Sequence, residues 1–299
     1  MSSSNAMKST QQPISADLRR WVIEQLGAGH TVEALRQSMR QSGWREDAIE
    51  VALFALPVAG RAAAPASGAR AAVAGAQAQP AARQPGPVLE GSAAFIDAGD
   101  RQVPVLMTLQ HPRVVMFGGL LSDEECDGLI AAAGERLARS LTVETKTGGE
   151  TLNQDRTSDG MFFERGENEI VRRVEARIAR LLNWPVEFGE GLQVLRYRPG
   201  AQYRPHYDYF DPAEPGTPTI LRRGGQRLGT LLMYLQAPEA GGGTIFPDVG
   251  LEVAPSRGSG LFFGYDRPDP GTRSLHGGSP VLAGEKWVAT KWLREREFK

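Results

Sequence analysis

Apolar residues recur at two different spacings along the chain, and the change of spacing separates helical regions from β-rich ones. Between residues 14 and 56 they fall three or four positions apart, which predicts three short amphipathic helices. Ser15 and Thr31 are the expected N-caps of the first two. The predicted apolar faces are Leu18, Trp21, Val22 and Leu26, then Val32, Leu35 and Met39, then Ile49, Leu53 and Phe54.

The helical region and the segment after it differ sharply in composition. Residues 14–56 resemble a small UBA-like three-helix module in size and pattern, and they fit a structural or oligomerising appendage equally well. Residues 57–91 consist mainly of Ala, Pro, Gly and Gln and contain no aromatic residue. Such a segment buries too little apolar surface to offset its ordering entropy, so we predict a disordered linker.

Residues 92–299 are predicted to form the main domain, whose first part contains one strand and two helices. A strand is expected at residues 114–116. Ser122 is a plausible N-cap for a helix that continues to about Arg139. A second helix is expected at residues 167–183, where Ile170, Val174 and Ile178 share one face.

After residue 190 the pattern changes to short β-rich runs separated by Pro and Gly turns. The predicted strands are residues 192–197, 229–235, 260–263 and 286–293. Helices followed by many short strands indicate an α+β fold in which helices pack on an antiparallel sandwich or barrel.

Composition narrows the classes of protein that remain. The 299 residues carry a net charge of −1, so no overall field favours nucleic acid. Cys126 is the only cysteine, which excludes an internal disulfide and fits a reducing compartment. No apolar run is long enough for a membrane span, and residues 1–13 lack an apolar signal stretch. We therefore expect a cytoplasmic protein that binds neither membrane nor nucleic acid.

Two of the chain's four histidines, together with one aspartate, suggest a metal site. His206 and Asp208 are two residues apart, so on a strand their side chains point to the same side. With His276 from a distant strand they would form a two-histidine, one-carboxylate set, which leaves metal positions open for a co-substrate and O₂. Each histidine alone also fits an ordinary core residue, and the same three ligands fit zinc.

Lys286 stands in an otherwise apolar and aromatic strand, ten residues after His276. Burying an unpaired cation is costly, so this lysine needs a partner. The far carboxylate of a metal-chelating organic acid such as 2-oxoglutarate would supply one. Alternatively, its ammonium extends to water.

From about residue 114 to residue 293, the chain resembles the prolyl 4-hydroxylase branch of the iron(II)/2-oxoglutarate dioxygenases. The matching motifs are Arg196-Tyr197, residues 203–210 with His206-x-Asp208, residues 226–235, Gly241 to Pro247, residues 274–281 around His276, and residues 284–287 with Lys286. This resemblance implies a double-stranded β-helix, or jelly-roll, core with helices along one side.

The resemblance also implies roles for individual residues. His206, Asp208 and His276 would bind Fe(II), and the 2-oxoglutarate site would contain Lys286, Tyr203, Thr230 and Trp292. Arg156 and Arg227 match positions that face the substrate. O₂ is the implied second co-substrate and ascorbate the implied reductant.

The expected reaction is hydroxylation of a C–H bond, on a prolyl residue of a protein or peptide, with release of succinate and CO₂. The alternatives are a small-molecule substrate, another target residue, or a jelly-roll module that only binds a partner. The sequence leaves the oligomeric state open.

Overall fold

The computed structural model describes residues 18, 21, 22, 25, 30–45, 48, 49, 52, 53, 84–89, 93–139, 141–143, 150–152 and 157–299. The chain divides into two compact units, residues 1–77 and 78–299. Among the described residues, no helix combines the length and the apolar character that crossing a bilayer requires.

The first unit contains helix α1 (Val32–Gln41), which begins where the sequence predicts. The hydroxyl of Thr31 accepts a hydrogen bond from the Ala34 amide at 3.2 Å, so Thr31 is its N-cap. Among the described residues of this unit, Val22, Leu35, Met39, Ile49 and Ala52 form a buried hydrophobic cluster.

One predicted core position of this unit is wrong. Val32 is 48% exposed because it is the first residue of α1. The residues of this helix that reach the core, Leu35 and Met39, come after it. Ser15, Leu26 and Phe54 lie outside the described residues.

The second unit contains three further α-helices, α2 (Asp123–Gly134), α3 (Glu169–Leu181) and α4 (Thr217–Leu221). Its strands are β1 (Phe95–Asp97), β2 (Gln102–Leu109), β3 (Arg113–Phe117), β4 (Ala138–Arg139), β5 (Leu141–Val143), β6 (Glu150–Leu152), β7 (Asp159–Phe163), β8 (Leu192–Tyr197), β9 (Tyr203–His206), β10 (Arg227–Gln236), β11 (Ala240–Gly241), β12 (Thr244–Phe246), β13 (Leu251–Val253), β14 (Gly260–Gly264), β15 (His276–Gly278), β16 (Val281–Ala283) and β17 (Lys286–Arg294).

A large antiparallel sheet and a small one form the body of this unit. The large sheet has the strand order β1-β2-β3-β14-β10-β17-β8-β7-β4, and the small sheet has the order β13-β12-β15-β9. Strand β10 contributes side chains to a hydrophobic core on each face of the large sheet. Leu231 and Met233 belong to the core that includes α2 and α3, whereas Tyr234 belongs to the core that includes the small sheet.

This arrangement is the predicted jelly-roll core with helices along one side. The four predicted β-rich runs are all strands of the large sheet. Helix α2 begins at the predicted cap: the Ser122 hydroxyl accepts from the Glu125 amide at 3.2 Å, and the Glu125 carboxylate accepts from the Ser122 amide at 3.0 Å.

Two predicted boundaries in this unit are wrong. Helix α2 ends at Gly134 rather than near Arg139, because Arg139 pairs with Asp159 in the β4–β7 ladder. The predicted linker extends to residue 91, but residues 85–87 are buried. The Gly86 amide donates to the Leu182 carbonyl at 2.8 Å, which fixes this segment on the domain; residues 57–83 lie outside the described residues.

Candidate active site

Two neighbouring strands of the small sheet bring the predicted metal ligands together. Strands β9 and β15 are antiparallel, and His276 is directly opposite His206 in their register. Gly277 permits this pairing at close range, since a Cβ there would lie 2.9 Å from the Tyr203 carbonyl oxygen and 3.1 Å from the Pro205 nitrogen. Both histidine side chains therefore approach the same point between the two sheets.

Asp208 completes the cluster from the turn that follows β9. Its Oδ1 lies 3.5 Å from Nε2 of His206, and its Oδ2 lies 3.5 Å from Nε2 of His276. One potential ligand atom from each of the three residues lies within 4.8 Å of the others. Among the described parts of the chain, this is the only group of three or more such side chains close enough to hold a metal ion.

Main-chain carbonyls orient both imidazole rings. Nδ1 of His206 lies 2.8 Å from the Arg204 carbonyl oxygen, and Nδ1 of His276 lies 3.0 Å from the Ser274 carbonyl oxygen. A carbonyl oxygen only accepts, so each Nδ1 donates a hydrogen, and Nε2 is the nitrogen of each ring that would bind a metal ion. Burial lowers the pKa of His276 to about 4, so this ring is a neutral donor at neutral pH.

The carboxylate and the carbonyl of Asp208 are both held by other residues. The Thr230 hydroxyl donates to Oδ2 at 2.7 Å, and Nη1 of Arg227 donates to the Asp208 carbonyl at 3.3 Å. Burial alone would raise the pKa of Asp208, but the two histidines and Arg227 hold it well below its usual range. The carboxylate is thus ionised and ready to bind a cation.

Lys286 lines the same pocket from the first residue of β17 and is 4% exposed. Its ammonium donates to the Gly242 carbonyl at 2.6 Å and lies 5.6 Å from the ring centroids of Tyr197 and Tyr234. No described carboxylate pairs with it, and burial lowers its pKa to about 7. The pocket therefore contains a buried cation that lacks an anionic partner among the described residues.

Tyr203 and Trp292 also line the pocket. The Tyr203 ring stacks on His206 with ring centroids 3.7 Å apart. Trp292, opposite Thr230 in the β10–β17 ladder, has a buried indole Nε1 that finds no hydrogen-bond partner among the described residues. A buried N–H without a partner is costly, so it is available to a ligand that enters the pocket.

Arg227 lies behind Asp208 and does not line the pocket. Its guanidinium forms two hydrogen bonds with the Glu190 carboxylate, at 2.7 and 2.9 Å, and lies over the Trp292 ring at 4.1 Å. That Arg227 faces the substrate stays a prediction. Arg156 lies outside the described residues.

These residues fit a metal and an anionic ligand together. Two imidazoles and one carboxylate on one side of an ion form the facial set of non-haem iron(II) oxygenases, which leaves three octahedral positions for other ligands. Lys286 and the Nε1 of Trp292 supply a cation and a donor in the same pocket. The donor set therefore suits Fe(II) with a dicarboxylate such as 2-oxoglutarate.

A jelly-roll core with this ligand set defines the class of 2-oxoglutarate-dependent iron(II) oxygenases. The family model described as "2OG-Fe(II) oxygenase superfamily" matches residues 192–294, which contain the three ligands and Lys286. The chain is a dioxygenase of this class, as its motifs predict.

Comparison with curated proteins identifies the branch of the class. "Prolyl 4-hydroxylase 5" of Arabidopsis thaliana is 41% identical over 222 residues, which cover 67% of this chain and 74% of that protein. "Probable prolyl 4-hydroxylase 3" of the same plant is 40% identical over 231 residues, which cover 70% and 78%. The chain belongs to the prolyl 4-hydroxylase family.

A solved structure is also similar. The viral collagen prolyl hydroxylase of Paramecium Bursaria Chlorella virus-1, in its 2OG complex, is 34% identical with a TM-score of 0.46; the match covers 60% of this chain and 95% of that one.

Sequence reasoning misses two residues that support the site. Tyr265, just after β14, lies 2.9 Å from the Thr230 hydroxyl, and Glu190 binds Arg227. A polar aromatic residue after an apolar strand is a weak sign that its hydroxyl has a buried partner. Glu190 carries no such sign, because its two arginine partners, Arg227 and Arg294, come from strands far along the chain.

Proposed function

We propose that this oxygenase hydroxylates a prolyl residue of a protein or peptide, with His206, Asp208 and His276 as its Fe(II) ligands. The convergence of these three ligands within 4.8 Å, in the pocket that also contains Lys286, is the observation that carries the assignment. The relatives named prolyl 4-hydroxylases support the choice of a prolyl target.

Fe(II) with 2-oxoglutarate and O₂ would supply the oxidising chemistry, which inserts one oxygen atom into a C–H bond and releases succinate and CO₂. The chain's own residues bind and orient. Both histidines present Nε2 atoms to the metal ion, and the Lys286 ammonium would pair with the far carboxylate of 2-oxoglutarate. Tyr203 and the Nε1 of Trp292 are the proposed additional donors to this co-substrate.

Thr230 was expected at the 2-oxoglutarate carboxylate as well, and its position in the pocket keeps it in contact distance of a ligand. Its single hydroxyl hydrogen, however, is donated to Asp208. We therefore propose that Thr230 acts mainly on the metal-binding carboxylate and contributes to the 2-oxoglutarate site through its methyl group.

Two arginines and the N-terminal unit are proposed to serve substrate binding. We retain Arg156 and Arg227 as candidates for contacts with the peptide. Helix α1 and the described residues around it have their own buried cluster, which supports a separate module. A module tethered to the catalytic domain would raise the local concentration of a protein substrate.

Succinate release by the iron-loaded full chain tests the reaction. It would be measured with 2-oxoglutarate and O₂, with and without proline-rich peptides, and hydroxyproline would be assayed by mass spectrometry. His206→Ala should abolish turnover, and Lys286→Ala should raise the KM for 2-oxoglutarate more than it lowers kcat. His30→Ala and Lys299→Ala are matched controls, since both residues are exposed and neither lines the pocket.

The outcomes separate the alternatives. Peptide-dependent succinate with hydroxyproline supports the proposal. Peptide-independent turnover that is stimulated by a small molecule would redirect the substrate assignment while leaving the chemistry intact. A folded protein with neither turnover nor metal binding would contradict the enzyme assignment.

Two finer expectations remain proposals with direct tests, and a third measurement gives the oligomeric state. Ascorbate as reductant predicts that it prolongs turnover during repeated cycles. A cytoplasmic location is tested by fractionation of the source cells. Mass measurement in solution determines the oligomeric state.

A further inference from the structure

Three buried side chains form a hydrogen-bonded line that ends on the metal-binding carboxylate. The Tyr265 hydroxyl lies 2.9 Å from the Thr230 hydroxyl, which lies 2.7 Å from Oδ2 of Asp208. All three side chains are buried. The hydroxyl of Tyr265 is therefore two hydrogen bonds away from the proposed iron ligand.

The number of hydrogens fixes the direction of both bonds. An ionised carboxylate only accepts, so Thr230 must donate its single hydroxyl hydrogen to Asp208. Thr230 then has no hydrogen for Tyr265, and the phenol, neutral near pH 7, must donate to the Thr230 oxygen. A donor that itself accepts a hydrogen bond is polarised, so the second bond strengthens the first.

Both residues come from rigid parts of the large sheet. Thr230 lies in β10 between β14 and β17, and the Tyr265 amide donates to the Leu228 carbonyl of β10 at 3.0 Å. Asp208, in contrast, lies in a turn beyond the end of β9. The line of hydroxyls thus ties a ligand on a turn to the central strands.

We propose that Tyr265 is a positioning residue for the metal site: through Thr230 it holds Oδ2 of Asp208 and so fixes the orientation in which the carboxylate faces the metal ion. This inference rests on the proposed iron site. It assigns Tyr265 a task that none of the sequence motifs indicates, and it predicts that loss of one hydroxyl distant from the ion weakens metal binding.

Metal titration of the full chain tests this assignment, with Mn²⁺ followed by electron paramagnetic resonance. Tyr265→Phe keeps the ring contacts with Tyr209 and Phe263 and removes only the hydroxyl. Loss of an outer partner of a metal ligand weakens binding by about 10- to 100-fold, and we expect the lower value for Tyr265→Phe and the higher for Thr230→Val. Thr230→Ser restores the donor and should remain within about threefold of the wild type.

The double variant distinguishes a connected line from two separate effects. If Tyr265 acts only through Thr230, Tyr265→Phe has nothing further to remove once Thr230→Val is present, and the double variant should bind Mn²⁺ as Thr230→Val does. Additive losses would contradict the proposal. The visible absorption of Co²⁺ at the site should change in both single variants, which a general loss of stability would not produce.

Tyr234→Phe is the matched control. Tyr234 is also buried and donates to a threonine, Thr244, at 2.8 Å, but no candidate metal ligand follows in that pair. Its Mn²⁺ affinity should equal that of the wild type. Equal affinity in Tyr265→Phe would overturn the positioning role alone, whereas a wild type that binds no Mn²⁺ through His206 would overturn the iron site and the inference together.

Discussion

Binding of 2-oxoglutarate should be coupled to uptake of a proton by Lys286. Burial lowers the pKa of this lysine from 10.5 to about 7 in the free pocket. A nearby carboxylate would favour the charged ammonium and raise that pKa again. Because the free lysine is partly neutral and the bound one is charged, the complex takes up a proton wherever the pH exceeds the free pKa.

The size of the effect follows from the pKa of about 7. The ammonium form is then roughly half of the free protein at pH 7 and about one tenth at pH 8. If only that form pairs with the carboxylate, the apparent affinity falls about fivefold over this interval and approaches a tenfold loss per pH unit above it. A metal ion in the same pocket would lower the pKa of Lys286 in the free protein further. The fraction of free protein that carries the ammonium would then be smaller at both pH 7 and pH 8.

Isothermal titration of 2-oxoglutarate into Mn²⁺-loaded protein measures the coupling directly. The observed heat at pH 8 is compared in buffers of different ionisation enthalpy, and the slope gives the number of protons taken up. We expect about 0.9 for the wild type and close to zero for Lys286→Arg, since guanidinium stays protonated at this pH. A flat affinity from pH 7 to 8.5, with no proton uptake, would refute the assignment of a partly neutral Lys286.

The same pKa affects the stability of the free protein with a defined sign. Between pH 7 and 10.5 the unfolded chain binds a proton at Lys286 that the folded chain does not, so this residue's contribution to the free energy of unfolding rises with pH. The stability advantage of Lys286→Met over the wild type should therefore shrink as the pH rises through this interval. Urea unfolding at several pH values measures it.

Three further substitutions test the supports of the site. Glu190→Gln removes the carboxylate from two buried arginines and should lower the free energy of unfolding by about 3–5 kcal/mol in urea; a loss below about 1 kcal/mol would contradict a structural ion pair. Trp292→Phe removes an N–H that has no partner among the described residues, so it should weaken 2-oxoglutarate binding severalfold in calorimetry. Gly277→Ala places a Cβ 2.9 Å from the backbone of β9 and should reduce Mn²⁺ affinity at least about tenfold, whereas Gly278→Ala, with its nearest neighbour at 3.8 Å, should not.

Local sequence rules predict most of the second unit because each rule has a local cause. The capping of α2 by Ser122 needs only residues within one helical turn. The four β-rich runs alternate between two buried faces, which a period of two produces without knowledge of the partner strands. The predicted end of α2 is wrong because its cause is not local. Arg139 pairs with Asp159 of β7, which is distant in sequence.

The buried segment at residues 85–87 shows the limit of compositional reasoning. Its Pro and Gly content predicts disorder because it offers little apolar surface. The structure compensates with long-range polar contacts: Gly86 donates to the Leu182 carbonyl, and Arg113 donates to the Pro85 carbonyl at 3.0 Å. Neither partner is near in sequence, so no local pattern reveals them.

In the candidate metal site, local contacts orient the two histidines, whereas a contact distant in sequence orients Asp208. His206 and His276 are each oriented by the carbonyl of the residue two positions before, so any chain with these strand ends would aim the two Nε2 atoms similarly. Asp208 has no such local support and depends on Thr230, more than twenty positions later in the chain. The motif therefore predicts the candidate metal ligands. The orientation of the Asp208 carboxylate, in contrast, depends on hydroxyls that are distant in sequence. Substitutions at Tyr265 should accordingly change metal affinity while the motif itself remains intact.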